Sequence, residues 1–441
     1  MTTIDRHGLQ GLVICVALLA AFPVHGDPIT IEDAIRGAWK NNPGLRAARS
    51  AFEAASADAG AAAHGGFPTL GVSVRGVSTD EPLMAFGMKL DQGQVTPQDF
   101  DPSRLNHPAT VTGFAAGATL TQPIYAGGRI GAGRVLARAQ ADAEEASFEA
   151  RRSDLALRVV EAYFGTQAAT EGLRYAEEEL AHARETEHFV RARSAQGLML
   201  EADVARATAF RAQAEAERAA AEQRAAEAHS GLVLLVGKSA ADAALSTPLS
   251  SEAGPVPEGD DPSSRPSLRA VRLQRDAAEA GTEAARGSLL PSVGAQVSLG
   301  TAVASGFDSG NAWFSLGLLA TWDLSLADRD RFRAAQARAA AAAEASEWEY
   351  RQAEREVEEE RRAITTSSAR LGSAEEALSA SESALKLRRA RYEQGLLPLT
   401  DELDAETALA GARALLLQAR LEARIARARL AVALGQPVEG V

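Results

Sequence analysis

The chain is written twice, and that repetition limits its possible folds more than any single motif does. Arg191-Ala192-Arg193-Ser194-Ala195-Gln196-Gly197-Leu198 aligns with Arg389-Ala390-Arg391-Tyr392-Glu393-Gln394-Gly395-Leu396 at an offset of 198, with six of eight positions identical. Without a gap, the same offset pairs Asp203 with Asp401, Ala207 with Ala405 and Gly237 with Gly435. A second register, offset by 223, pairs Pro43-Gly44-Leu45-Arg46-Ala47 with Pro266-Ser267-Leu268-Arg269-Ala270, and Phe67-Pro68 with Leu290-Pro291. The building block is therefore one supersecondary unit used twice. The copies run over residues 27–237 and 262–437, and the stretch 238–261, rich in Ser, Pro, Gly and Asp, reads as the linker between them.

Each copy has the same order: a helix, a proline, a strand, a loop, a strand, a very long helix, a glycine turn and a second long helix. In the first copy Thr30-Ile31-Glu32-Asp33 is a capping signature. A further helix is expected from Pro43 to about His64, before Pro68. Leu70-Gly71-Val72-Ser73-Val74-Arg75 alternates, as does Thr112 to Leu120, with Phe114, Ala116, Ala118 and Leu120 on one face. The second copy alternates more cleanly: Val293, Ala295, Val297 and Leu299, then Phe314, Leu316, Leu318, Ala320 and Trp322, set against Gly294, Gln296, Ser298, Ser315, Gly317 and Thr321. From Gly128 to Ala195 the helical pattern is almost unbroken, a rod of roughly 100 Å at about 1.5 Å per residue. Leu409, Ala412, Leu416, Ala419, Ala423, Ala426, Leu430 and Ala433 step by three and four, a coiled-coil seam whose alanines permit close helix approach.

Residues 1–26 read as a secretory signal: Arg6, an apolar run from Gly11 to Phe22, then Val24-His25-Gly26. Ile14 before Cys15 does not fit a lipidation signal, and Cys15 is the single cysteine, so the mature chain has no disulfide. No other stretch approaches a membrane-spanning helix. Entry into a membrane is then open only to a closed β-barrel, the other architecture that satisfies every backbone group in lipid. One alternating strand alone reads as a hairpin half buried on a helix. Four such strands in two matching contexts favour a barrel, with apolar side chains outward and polar ones inward. Four strands cannot close, so closure requires several subunits.

The 59 acidic against 46 basic residues, a net charge of -13, argue against nucleic acid as a partner. The seven histidines form no metal-binding spacing, Gly131-Ala132-Gly133 has Leu136 where a dinucleotide loop needs glycine, and no nucleophile sits with a base. Neither cofactor, metal nor catalytic residue is expected.

The run Leu120-Thr121-Gln122-Pro123-Ile124-Tyr125-Ala126-Gly127-Gly128-Arg129 resembles the Q-P-(I/L)-(F/Y)-x-G-G junction of the TolC-like outer-membrane efflux proteins. Both Gln-Gly-Leu turns resemble that family too, as do Asp203-Val204 and Thr400-Asp401-Glu402-Leu403-Asp404-Ala405 after them. The resemblance covers essentially the whole mature chain. It implies a mainly α protein with a transmembrane β-barrel portion: a homotrimer whose twelve strands form one barrel in outer-membrane lipid, continued by a twelve-helix coiled-coil α-barrel in the periplasm. It implies the channel of a tripartite efflux or type I secretion system, a passive exit duct for small molecules or ions and not an enzyme. The implied partners are a periplasmic adaptor (membrane fusion) protein and an inner-membrane pump of the RND, MFS or ABC type.

Carried over residue by residue, the resemblance puts the strand–helix junction at Gln122, Pro123, Gly127 and Gly128, the adaptor-docking tips at Gly197, Leu198, Gly395 and Leu396, and the periplasmic gate at Asp401, Asp404 and Asp203. The family's gate arginine is Leu397 here, and Arg206, the counterpart of Asp404, stands as its replacement. Read without the family, these acids are solvated helix-start carboxylates and the tips plain glycine helix stops. The Ser or Thr often found two residues after the tip leucine is Leu200 in one copy and Pro398 in the other. The competing reading is a secreted periplasmic coiled-coil scaffold or adaptor-like protein with a small soluble sheet. Nothing in the loop from Ser78 to His107 specifies a structure, although Met84, Phe86 and Met88 suit a cap on the outer mouth.

Overall fold

The computed structural model of the chain describes residues 26–438 apart from 242, 250–253, 305–310 and 324; the expected signal over residues 1–26 lies, but for Gly26, outside the described residues. A short strand β1 (Gly26–Ile29) leads into α1 (Ile31–Asn41). The Thr30 hydroxyl accepts from the Asp33 amide, and the Thr30 amide donates to the Asp33 carboxylate. Asn42 caps α2 (Pro43–Ala63), whose first residue is the proline that needs no amide there.

Beyond α2 comes strand β2 (Thr69–Thr79). The segment from Ser78 to His107 is a small folded unit: α3 (Pro82–Asp91), a tight turn at Pro97–Phe100, and α4 (Pro102–Asn106). Lys89 and Asp99 pair at 2.7 Å and Phe86 meets Phe100 edge to face at 5.7 Å, which holds the unit together. Strand β3 (Val111–Ala126) returns and passes into α5 (Arg129–Ser194), followed by α6 (Glu201–Val236) and strand β4 (Ala243–Leu245). The second half gives α7 (Pro266–Gly287), β5 (Ser292–Val303), β6 (Asn311–Thr321), α8 (Leu326–Glu393) and α9 (Leu399–Ala433).

The main sheet is antiparallel in the order β2-β3-β5-β6, so its central pair joins one half of the chain to the other. Pairing sorts the side chains into rows. Leu70, Leu120, Val297 and Leu316 lie abreast, and Val72, Ala118, Leu299 and Phe314 form the next apolar row. Between them, on the opposite face, Gly71, Thr119, Ser298 and Ser315 make a small polar row. Phe314, Leu316 and Leu318 are 78%, 73% and 76% exposed, so this apolar face is uncovered within one chain. Among the described residues neither β2 nor β6 has a partner on its outer edge.

Strand β3 outruns the expected 112–120 by six residues at its far end. Gln122 and Pro123 thus lie inside the strand, and the turn itself is Gly127-Gly128. Pro123 has no amide to give the ladder. The register slips between Pro123 and Tyr125, and Ile124 is left exposed as a bulge. The Gln122 amide donates to the Gly66 carbonyl at 2.9 Å, tying the bulge to the entry of β2.

Helix α5 is the spine. Near its middle Val159, Tyr163 and Phe164 pack on Ile31, Ile35 and Ala38 of α1 and on Leu232 and Val236 of α6, all buried. The Tyr163 hydroxyl donates to the Ile29 carbonyl and accepts from the Thr247 amide, both at 2.9 Å, and β4 pairs in parallel with β1. The stretch 243–247 is thereby fastened to the helices. In the second hairpin Val357 and Ile364 of α8 meet Ala426 and Leu430 of α9. Ion pairs Arg429–Glu161 at 2.7 Å and Arg413–Glu178 at 3.1 Å set α9 in register against α5.

Where strands pass into helices, two backbones touch. Gly127 has φ 63°, a Cβ there would collide with the Gly287 carbonyl, and a Cβ on Gly287 would collide with the Gly127 carbonyl. Gly128 has φ 82° but open space around it. Gly128→Ala is expected to cost only the left-handed backbone penalty, about 1–2 kcal/mol. Gly127→Ala adds a backbone collision and should lower the unfolding temperature of the purified protein roughly twice as far. Equal shifts in thermal melts would show that the backbone contact is unimportant.

Candidate gate and hairpin tips

The two turns far from the sheet are built identically. Gly197 has φ 71° and Gly395 φ 73°. At the first tip the Leu198 amide donates to the Arg193 carbonyl at 3.0 Å and the Gly197 amide to Ser194 at 2.9 Å. At the second, Leu396 donates to Arg391 at 2.9 Å and Gly395 to Tyr392 at 2.8 Å. This is the Schellman arrangement, which requires a left-handed residue and so favours glycine. A hydrophobic residue after that glycine ordinarily packs back on its helix. Leu198 and Leu396 do not: they are 67% and 68% exposed, and Leu200 beside them is exposed as well.

Asp203 and Asp401 each occupy the third position of the helix that follows, α6 and α9, where a negative charge faces the positive end of the helix dipole. Asp404 and Arg206 lie one turn further on and are exposed. Among the described residues none of these four side chains makes an ion pair with another. The contacts that join the two tips lie beside them. Phe189 of α5 meets Tyr392 of α8 edge to face at 6.0 Å, and the Tyr392 hydroxyl donates to the Met199 sulfur at 3.8 Å. Val190, Ala207, Leu399 and Leu403 close this small core, and Arg389 reaches Glu185 of the other hairpin at 3.4 Å.

Two acids behind this core were not singled out from the sequence. Glu402 and Glu406 are 3% and 6% exposed, and one carboxylate oxygen of each is buried with no hydrogen-bond partner among the described residues. Arg389 approaches Glu402 at only 3.8 Å while also serving Glu185 and Glu393. Burial, reinforced for Glu402 by the neighbouring Glu406, pushes Glu402 up to about 7 and Glu406 up to about 6. The signal was present: the three-and-four seam continued backward from Leu409 reaches Ala405 and then Glu402, an acid where an apolar residue belongs.

The family model for outer membrane efflux proteins matches residues 34–238 and 262–436. The chain belongs to that family. No curated protein matches it. Among solved structures, a membrane protein from Pseudomonas aeruginosa is 25% identical, with 93% of this chain and 91% of that one covered and a TM-score of 0.81. The outer membrane protein VceC from Vibrio cholerae is 22% identical over 93% of this chain and 97% of its own, with a TM-score of 0.76. The CmeC outer membrane channel of Campylobacter jejuni is 18% identical over 92% and 85%, with a TM-score of 0.79. The fold is the TolC-like one, and the chain's place is the outer membrane, from which it extends into the periplasm. Its work is efflux across the outer membrane, and CmeC among these neighbours is an outer membrane channel.

Because the folded state holds Glu402 protonated above its ordinary value of 4.5, its contribution to stability is present below that value and is lost as pH rises through about 7. Glu402→Gln should therefore raise the unfolding temperature by a few degrees above pH 7 and change it little below 4.5. Thermal melts across that range test this; a variant less stable than the parent at high pH would contradict it.

Proposed function

We propose that three copies of the chain close one twelve-stranded barrel and one helical tunnel, a passive duct through which small molecules or ions leave the periplasm. The supporting observation is the sheet: four strands whose two outer edges have no partner, and whose apolar rows are left uncovered, among the described residues. Open edges cannot stand in hydrocarbon. In the strand order, β2 and β6 run in opposite directions, so β6 of one copy can continue antiparallel to β2 of the next. Two copies would make eight strands, a barrel that side chains fill; three leave a lumen. A soluble scaffold would hold the same apolar rows in water, which disfavours that reading.

In this reading residues 27–237 and 262–437 are the two duplicated halves joined by 238–261. The exposed leucines Leu198 and Leu396, presented by Gly197 and Gly395, are the docking points for a periplasmic adaptor, which links the duct to an inner-membrane pump. Asp401 and Asp404 line the constriction, and Asp203 and Arg206 restrain it. Since Asp401 and Asp404 lie three apart on one helix, threefold symmetry gathers six carboxylates around the axis, a field that draws cations and repels anions.

Native mass spectrometry of the detergent-solubilised protein should give a trimer, and a stable folded monomer would contradict the proposal. In planar bilayers, Asp401→Asn with Asp404→Asn should lower cation selectivity and weaken block by multivalent cations, while Arg206→Ala should raise conductance. Unchanged selectivity would put the constriction elsewhere, and unchanged conductance would remove Arg206 from it.

A further inference from the structure

Between α5, α6 and α9, well above the tips, lies a cavity of about 650 Å³ lined within a single chain. That volume suits a drug-sized molecule. Its walls are mostly apolar, with Ala214 and Phe210 of α6 facing Ala410 and Leu417 of α9. The charged groups that line it fall into two sets. Arg413 is paired with Glu178 at 3.1 Å, and Arg224 with Glu217. The Tyr175 ring is likewise taken, with the guanidinium groups of Arg413 and Arg174 each 4.6 Å from its centre.

Glu179 of α5 and Glu406 of α9 remain. Neither makes an ion pair among the described residues, and Glu406, 94% buried on its 6% exposure, has a carboxylate oxygen with no hydrogen-bond partner. The groups facing Glu406 add to its deficit. From α5 come Glu179 and Glu185, from its own helix Glu402, and against them stands only Arg389 of α8, already divided among Glu185, Glu393 and Glu402. Glu179 in turn faces Glu217 of α6, and the one cation acting on it, Arg413 of α9, is already held by Glu178. Two carboxylates thus face an apolar cavity with less positive charge than buried carboxylates require.

We propose that this cavity binds an organic cation, a single ammonium or amidinium group carried on an apolar or aromatic body. The cationic group supplies the missing partner of Glu406 and Glu179, and the body lies on Phe210, Ala214 and Leu417. A small inorganic cation would satisfy the charge but leave the apolar walls unused. All the residues that line the site belong to one chain. Desolvation also holds both carboxyls above their ordinary range, so occupancy should fall as protons compete for Glu406 near pH 6.

The test uses the full chain in lipid nanodiscs, with two probes of one ring system: 9-aminoacridine, cationic at neutral pH, and acridine, neutral there. Isothermal titration calorimetry, with empty nanodiscs subtracted, should show the cation bound about tenfold or more tightly than the neutral ring. Glu406→Gln with Glu179→Gln should abolish that preference while leaving acridine binding unchanged, and Phe210→Ala should weaken both probes alike. Glu179 is only half-buried, so Glu179→Gln alone keeps the test open if the double variant does not fold, with the preference falling several-fold. Equal affinity of the parent protein for the two probes, or a preference that survives in the folded carboxamide variants, would overturn the proposal.

Discussion

Small side chains along α5 are what the rest of the molecule depends on. A helix of 66 residues has no globular core to lie on, and it is held by contact with α1, α2, α6, α7 and α9 in turn. Ala139, Ala143, Ala146, Ala156, Ala176 and Ala183 are among its buried residues. Alanine loses no rotamer freedom in a helix, and it brings the neighbouring backbone close enough for dispersion contacts to accumulate along the whole length. Bulkier seams would spread the helices and break the register that Arg413 and Arg429 keep with Glu178 and Glu161. Near the middle, where α1 and α6 pack against it, the largest core cluster forms around Tyr163 and Phe164.

Much of this was legible in the residues themselves. The helical seams, the alternating strands and the glycine tips follow from local periodicity and turn chemistry, and α5, the seam of α9 and both tip turns lie where the pattern put them. The 82–106 unit was not legible, because its structure comes from a few specific pairs, Lys89 with Asp99 and Phe86 with Phe100, rather than from any period. The far end of β3 was obscured by Pro123, a residue that argues against a strand until the bulge beside it is known. Strand β4 is three residues long and exists by pairing with β1 more than two hundred residues earlier. As for the tips, Asp203, Arg206, Asp401 and Asp404 could be placed by motif, whereas the links through Tyr392, Met199 and Arg389 depend on how two distant hairpins lie together.

The buried acids show how polar residues divide labour within one coiled coil. Exposed pairs such as Arg49–Glu53 lie in water and contribute little. At Glu402 and Glu406 the same chemistry is moved inside, where one guanidinium is shared among several carboxylates, and charge becomes a source of local instability rather than adhesion. That instability lies directly behind the aromatic contact joining the hairpins.

The central position of the β3–β5 pair governs the order in which the molecule can form. Each half of the chain contributes one hairpin, and an isolated two-stranded hairpin is marginal. On its second edge β3 pairs through residues 114–126 with 292–303, so the sheet has a high contact order and waits on synthesis of the second half. The touching glycines Gly127 and Gly287 impose the same wait on the collar between strands and helices. The helical hairpins, built from local contacts, can form first, and the apolar rows of the sheet stay unpaired until last. A nascent chain thus carries its most aggregation-prone surface in its slowest-folding part.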